Sequence, residues 1–412
     1  MRVRIAAIVF ILACTSLSWF ILASTIYSRT YQSDDKLRTG VTSVWGSPQE
    51  QRPPSVSYDV IEHQSIETET DGRKTIRTEN RRSTFHLPLE SSRIDVGLNL
   101  EYRQKGLLWY STYVVDFDGT YTFRNGTDTP QTVTLRLRFP AGQAIYDGLL
   151  MEVNRHPLPV VSDSDGVSVA AQLSPHEVAT LRVAYRSHGL ESWRYRLGDG
   201  VSQARDFLLH VRTNFKQIDF PVNTLSPTEK HGTPNGWDLT WRYTNLISGF
   251  QLGVTLPDHL QPGPLAGQIS YFAPVSLLLF FFVLFITTTM RSIDLHPMNY
   301  FFLSAAFFAF HLLLAYLVDH ISIHIAFLIC SVVSIFLVTS YLRSIVGPRF
   351  ALVEAGCAQF VYLVLFSYAF FLPGFTGLAV TIGCIVTLFV VMQMTARIRW
   401  ADHFRGPTDI AS

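Results

Sequence analysis

Six apolar runs constrain this chain more than any motif. They are Ile5–Ile26, Ile269–Met290, Tyr300–Val318, Ile321–Tyr341, Phe350–Leu372 and Phe375–Met394. At about 1.5 Å of rise per helical residue, each reaches across a hydrocarbon core of about 30 Å. Buried helices of a water-soluble core do not need runs this long. The chain therefore reads as a multi-span membrane protein, with one helix at its start and a bundle at its end. Arg2 and Arg4 precede the first run, and no clean small-x-small cleavage site follows it, so an uncleaved signal anchor is expected rather than a removed signal peptide.

The charged residues crowd between Arg29 and Asp258. That split describes one large water-exposed insert between apolar ends. The formal net charge is +1, which gives a nucleic-acid partner no electrostatic support. Cys14, Cys330, Cys357 and Cys384 all lie in apolar runs. The insert must therefore be held by an ordinary core rather than by intrachain disulfides.

Period-two alternation dominates the insert. Val133, Leu135, Leu137 and Phe139 alternate with threonine and arginine. Leu181, Val183 and Tyr185 follow the same rule, as do Phe207, Leu209 and Val211, and then Trp237, Leu239, Trp241 and Tyr243. One apolar face per strand predicts half-buried antiparallel strands. Asn125-Gly126, Asp165-Gly166 and Asn235-Gly236 supply turn signals. Asp71-Gly72 predicts a hairpin over Ser65–Glu79, with Glu69 facing Lys74. Pro257, Pro262 and Pro264 read as a linker into the bundle. The sequon Asn125-Gly126-Thr127 is sufficiently explained as a turn. These signals predict an all-β, sandwich-like domain.

Orientation follows from arginine. Outside the insert, Lys and Arg are confined to Arg2, Arg4, Arg291, Arg343, Arg349, Arg397, Arg399 and Arg405. With six spans, all of these fall on one side, and the two short loops on the other side carry none. The positive-inside rule then puts both termini in the cytoplasm and the β-domain across the membrane. Arg29 is the single dissenter near span one. ATP-driven chemistry is not expected, because the sequence has no Walker or dinucleotide glycine fingerprint.

Five polar residues in or beside the spans are candidate functional groups: His311, Asp319, His320, His324 and Glu354. His320 and His324 share a helix face if the break is helical, with Asp319 at the adjoining turn. Such a set could bind zinc or protons. A helix cap, and a contact between bundle and β-domain, explain it more simply. His311 lies mid-span, where a neutral imidazole bonded to a neighbouring helix is the bland reading. Glu354 reads as an anchor for Arg343 or Arg349, which are near enough to snorkel towards it. HExxH and GxSxG are absent, and the lone SxxK match, Ser33–Lys36, has no companion motif, so no enzyme, metal or cofactor is expected.

Several segments, in order, resemble the CreD family of bacterial inner-membrane proteins. Val44–Val56 (VWGSPQEQRPPSV) is similar to that family's Trp-Gly segment after the first span, with Trp45 and Gly46 at its head. Glu101–Phe123 resembles its Arg-x-x-Gly stretch. Leu295–Tyr300 (LHPMNY) is similar to its His-Pro-x-x-Tyr entry, which maps to His296, Pro297 and Tyr300. Leu317–Leu328 resembles its Ser-Glu-His-Ile break, and Ile398–Trp400 its last-span exit at Trp400. The family's acidic pair before the last span is replaced by Leu372-Pro373-Gly374. The resemblance implies a plasma-membrane protein tied to cell-envelope integrity and envelope stress, with no established catalytic activity.

The expected architecture is thus six α-helical spans with a large all-β periplasmic domain inserted between spans one and two. The expected boundaries are 1–30 for the cytoplasmic N-terminus and first span, 31–268 for the β-domain, 269–396 for the five-helix bundle and 397–412 for a cytoplasmic tail. The expected partners are the lipid bilayer and, through the β-domain, another envelope protein or glycan. The competing expectations are a transporter or proton-coupled channel using the polar residues of spans three to five, and a metal-dependent membrane hydrolase.

Overall fold

The computed structural model describes residues 2–396 apart from 71–72, 106–107, 143 and 373. The expected Asp71-Gly72 turn, the tail at 397–412 and Trp400 lie outside the described residues. Six helices among the described residues are long and apolar enough to cross a membrane. A large β-sheet domain accompanies them. The chain divides into two compact units. One contains the first helix through Lys36 and the chain from Leu260 onward, and the other is built from residues 37–105 and 109–259.

Span one belongs to a helix that runs unbroken from Arg2 to Trp45. At about 1.5 Å per residue this is roughly twice a bilayer core, so the polar stretch after Ile26 extends the same helix. Gly46 ends it at φ 96°, and its N–H bonds the Thr42 carbonyl at 3.0 Å. Only glycine takes that left-handed turn cheaply.

Spans two to six are Pro262–Met290, Pro297–Leu317, Ile323–Ile345, Phe350–Phe371 and Thr376–Thr395. Pro262 and Pro264, expected in a linker, instead open span two. Proline suits the first helical turn because its missing N–H would have no partner there. Small residues let the helices approach closely. A Cβ on Gly267 would stand 3.4 Å from Ile26 and Tyr27 of span one, and one on Gly263 would stand 2.8 Å from Thr30 Oγ1. Glycines four apart bring backbones together in lipid, where packing replaces the hydrophobic effect as the driving force.

Among the described residues the β-domain contains three sheets. The largest has eight strands, ordered Glu229–Gly232, Trp237–Ser248, Ser202–Thr213, Leu89–Lys105, Leu108–Arg124, Val178–Leu190, Tyr146–Val153 and His156–Pro157. The second has five, ordered Arg73–Leu87, Ser55–Thr70, Gln131–Arg138, Gly166–Leu173 and Val161–Ser162. Glu69 pairs with Lys74 in register, as the hairpin signal predicts. The third joins Gln49–Gln51, Ser192–Tyr195 and Leu252–Thr255. All three contribute to one core, including Val133, Leu135, Leu137, Phe117, Phe123, Leu181, Trp193 and Trp241. The alternation in the sequence is the alternation of this core: every second residue from Val133 to Leu137 is buried. Asn125 is fully buried. Its side-chain amide donates to the carbonyls of Thr129 (3.0 Å) and Ser174 (2.9 Å), so its role is to close a turn.

Gly166 marks the tightest approach inside the five-stranded sheet. A Cβ there would lie 2.1 Å from the Leu137 carbonyl oxygen, which is backbone and cannot rotate away. Gly126, by contrast, has open space around it. Gly166→Ala is expected to cost about 2 kcal/mol or more, in the range of overpacked cores. Gly126→Ala should stay within about 0.5 kcal/mol, as at open surface sites. Denaturation of the full chain in detergent, followed by far-ultraviolet circular dichroism, checks the pair. Equal effects would contradict the strand packing described.

Candidate functional site

The five polar residues singled out in the sequence do not form one site. Asp319 meets Arg29. The guanidinium bonds both carboxylate oxygens, at 3.1 and 3.3 Å, and donates to the Ala315 carbonyl at 3.1 Å. The Tyr316 ring lies 5.7 Å from the same group. Arg29 therefore clasps the C-terminal end of span three, where carbonyls and the helix dipole favour a cation. Asp319 does not cap the next helix, as the simpler reading had it. Its carboxylate is spent on span one.

His320 and His324 are exposed, and the His324 ring lies 5.3 Å from that of Phe371. No group of three His, Cys, Asp or Glu residues suited to a metal ion occurs among the described residues. His311 is fully buried. Its Nδ1–H donates to the Phe307 carbonyl of its own helix at 3.0 Å, not to a neighbouring helix as expected. Trp19, Phe307 and Phe310 surround the ring at 5.7, 6.3 and 4.9 Å. Nδ1 carries the proton because a carbonyl can only accept, which leaves Nε2 an acceptor. That Nε2 is buried without a hydrogen bond, as is Trp19 Nε1.

Glu354 pairs with Arg291 at the end of span two. This corrects the expected partners, Arg343 and Arg349. The reason is the shape of span five, which is wound as π-helix over Phe350–Ala355 and again over Phe360–Leu365. Such wide turns are rare and occur mostly as single-turn bulges inside α-helices. The first carries Glu354. In the second, the Tyr362 carbonyl accepts a hydrogen bond from Ser276 of span two. Further rungs join the other spans. Gln359 Nε2 donates to Ser334 Oγ at 2.9 Å, and Ser334 donates to the Ala306 carbonyl at 3.0 Å. Tyr362 and Thr387 pair at 3.0 Å.

The His296-Pro297-x-x-Tyr300 segment is a helix start. His296 Nδ1 accepts the Met298 N–H at 3.3 Å, and Pro297 takes the first helical position. Tyr300 is buried edge-on against Phe281 at 5.4 Å. Asn299 accepts from Tyr341 of span four at 3.0 Å.

The Trp45-Gly46 segment builds a second polar centre, in the β-domain unit. The Arg103 guanidinium carbon lies 3.2 Å from the Trp45 ring centroid, and His188 meets the same indole edge-on at 5.0 Å. Gln49 and Gln51 are both buried. Gln49 Nε2 donates to Ser187 Oγ and to the His188 carbonyl, both at 2.8 Å. Gln51 Oε1 accepts from Tyr185 Oη at 2.6 Å. The Trp-Gly and Arg-x-x-Gly segments, far apart in sequence, therefore meet at Trp45 and Arg103. Sequence reasoning missed Arg29, Gln49, Gln51 and Arg103 as contact residues. A signal existed for the glutamines, which are polar residues at alternate positions of one short strand.

These features define a class: a six-span membrane protein with an all-β extramembrane domain, its helices tied by polar rungs. Residues 251–401 match the family model described as inner membrane protein CreD. The resemblance drawn from the sequence therefore holds over the chain from span two to span six. No curated protein matches. Among solved structures, a protein described as nutrient binding from Legionella pneumophila is 14% identical over 47% of this chain and 73% of its own, with a TM-score of 0.31. An M1 zinc metallopeptidase from Deinococcus radiodurans is 13% identical over 41% of each chain, with a TM-score of 0.26. An aminopeptidase N family protein from Idiomarina loihiensis is 14% identical over 45% of this chain and 36% of its own, with a TM-score of 0.20. Likenesses this low carry no functional argument.

The Arg29–Asp319 clasp is testable by a double-mutant cycle. Side-chain exposures of 38% and 20% screen the pair, so a coupling of about 1 kcal/mol is expected. It is read from the unfolding of Arg29→Ala, Asp319→Ala and the double variant in detergent. Additive losses would remove the clasp as an energetic contact.

Proposed function

We propose that this protein is a non-enzymatic inner-membrane component that supports envelope integrity or the envelope-stress response, acting through its β-domain on the periplasmic side. Both termini are then cytoplasmic. The observation that carries the orientation is the distribution of arginine: Arg2, Arg4, Arg291, Arg343 and Arg349 fall on one side of a chain with six candidate spans. Arg29 and Arg38, further along the first helix, fall on the other side and are outnumbered; Arg29 is paired there with Asp319. The remaining arginines outside the insert then agree on one side. The family match over residues 251–401 supports the membrane assignment. The non-enzymatic reading is supported by the scatter of the polar residues: Asp319 and Glu354 are spent on ion pairs, and His311 is caged by aromatic rings. The same commitments weigh against a proton-coupled channel through these residues.

Two measurements test the reading. In a cysteine-free background, Asp199→Cys should react with a membrane-impermeant maleimide in cells with permeabilised outer membranes. Ser344→Cys should react only after lysis. The reverse pattern would invert the topology. A deletion strain should become more sensitive to detergent under envelope stress, with rescue by the wild-type chain. Unchanged sensitivity would remove the envelope role.

A further inference from the structure

Gln49 and Gln51 point into the core, so the residues alternating with them, Glu50 and Arg52, point out. They line a groove of about 590 Å³ together with Arg136, Arg138, Phe139 and Asp165. That volume lies within the range of small-ligand sites. Arg136 is committed to Asp163 at 2.7 Å. The Asp163 carboxyl is held below its usual range by the Asp165 backbone N–H and then by Arg136, so this rim stays ionised. Arg52 bonds Glu50 at 3.0 Å and Asp199 at 2.6 Å. Arg138 stands 4.0 Å from the same Asp199. Its side chain is 63% exposed, and that of Asp199 is 73% exposed. Two guanidinium groups that line the groove, Arg52 and Arg138, thus hold between them the carboxylate of a solvent-exposed side chain, Asp199, which is not itself part of the groove lining. Phe139, stacked on Tyr146 at 4.5 Å, gives the same groove an aromatic wall.

We propose that this groove binds the free carboxylate of a small ligand, which takes the place of Asp199 between Arg52 and Arg138. Paired guanidinium donors recognise carboxylates with strong, directional hydrogen bonds. The proposal rests on the reading that the β-domain recognises another envelope component. The carboxylate could belong to a peptide terminus or to a sugar acid, because the groove addresses their shared group.

The test uses the full chain in nanodiscs and isothermal titration with dialanine and with glucuronate, each beside its carboxamide. At least one acid should bind, with its carboxamide weaker by about tenfold or more, as expected when a charge-assisted pair is lost. Arg138→Glu and the milder Arg138→Gln should weaken binding without lowering the thermal midpoint. Asp199→Asn should strengthen it by removing the internal competitor. Which acid binds identifies the source of the carboxylate. The proposal is overturned if neither acid binds, if acid and carboxamide bind alike, if both Arg138 variants bind as wild type, or if Asp199→Asn fails to strengthen binding. Failure of the envelope reading is seen separately, in the phenotype of the deletion strain, and leaves these binding constants untouched.

Discussion

The short Gln49–Gln51 strand is held in the β-domain by the hydrogen bonds of two buried amides. Gln49 and Gln51 occupy core positions that an apolar side chain would fill more cheaply, since a buried amide left unbonded costs about 1–3 kcal/mol. Here the Gln49 amide donors reach Ser187 and His188, and Gln51 accepts from Tyr185. Gln49 Oε1 remains buried without a hydrogen bond. The bonds fix the register of a strand only three residues long. Once fixed, that strand donates from Glu50 N–H to Pro140 and accepts at Gln51 from Arg196. It thereby links the end of the five-stranded sheet to the three-stranded one. Its outward residues, Glu50 and Arg52, are placed in the groove by the same alternation.

The membrane helices obey the same rule in a harsher solvent. A polar group carried into lipid must find a partner within the protein, because no water is there to serve it. Ser276 finds the Tyr362 carbonyl, Gln359 finds Ser334, and Ser334 finds Ala306. At the helix ends, arginines meet carboxylates on other spans: Arg29 with Asp319, and Arg291 with Glu354. The polar residues of the spans thus act mainly as ties. Trp19, Ser270 and His311 are exceptions: Trp19 Nε1, Ser270 Oγ and His311 Nε2 are buried without a hydrogen bond.

Much of the fold was legible because two periods were. Apolar runs marked all six helices, and alternation marked Gln131–Arg138, Val178–Leu190, Ser202–Thr213 and Trp237–Ser248. The central strands Leu89–Lys105 and Leu108–Arg124 carry the same alternation, at Ile94, Val96 and Leu98 and at Val115, Phe117, Tyr121 and Phe123. Gly119 interrupts the second series on its apolar face and hides it, whereas Gly97 lies on the opposite face of the first. Helix ends were less legible. Residues 27–45 are polar yet helical, and Pro262 begins a helix rather than a linker, because local composition does not reveal where packing ends. Pair partners were least legible. Sequence proximity suggested Arg343 and Arg349 for Glu354, whereas helix packing supplied Arg291 from another span. Trp45 and Arg103 likewise meet only once the strands have been threaded.

The Gln49–Gln51 strand is part of the β-domain core and not a loose tether after the first helix. Hydrogen exchange of the full chain in nanodiscs, resolved at the Glu50 and Arg196 amides, tests this most directly. Protection comparable to that of the Ser192–Tyr195 strand is expected, with loss of both protections together in Gln51→Ala. Exchange at Glu50 near the rate of an exposed loop, while Ser192–Tyr195 stays protected, would contradict it.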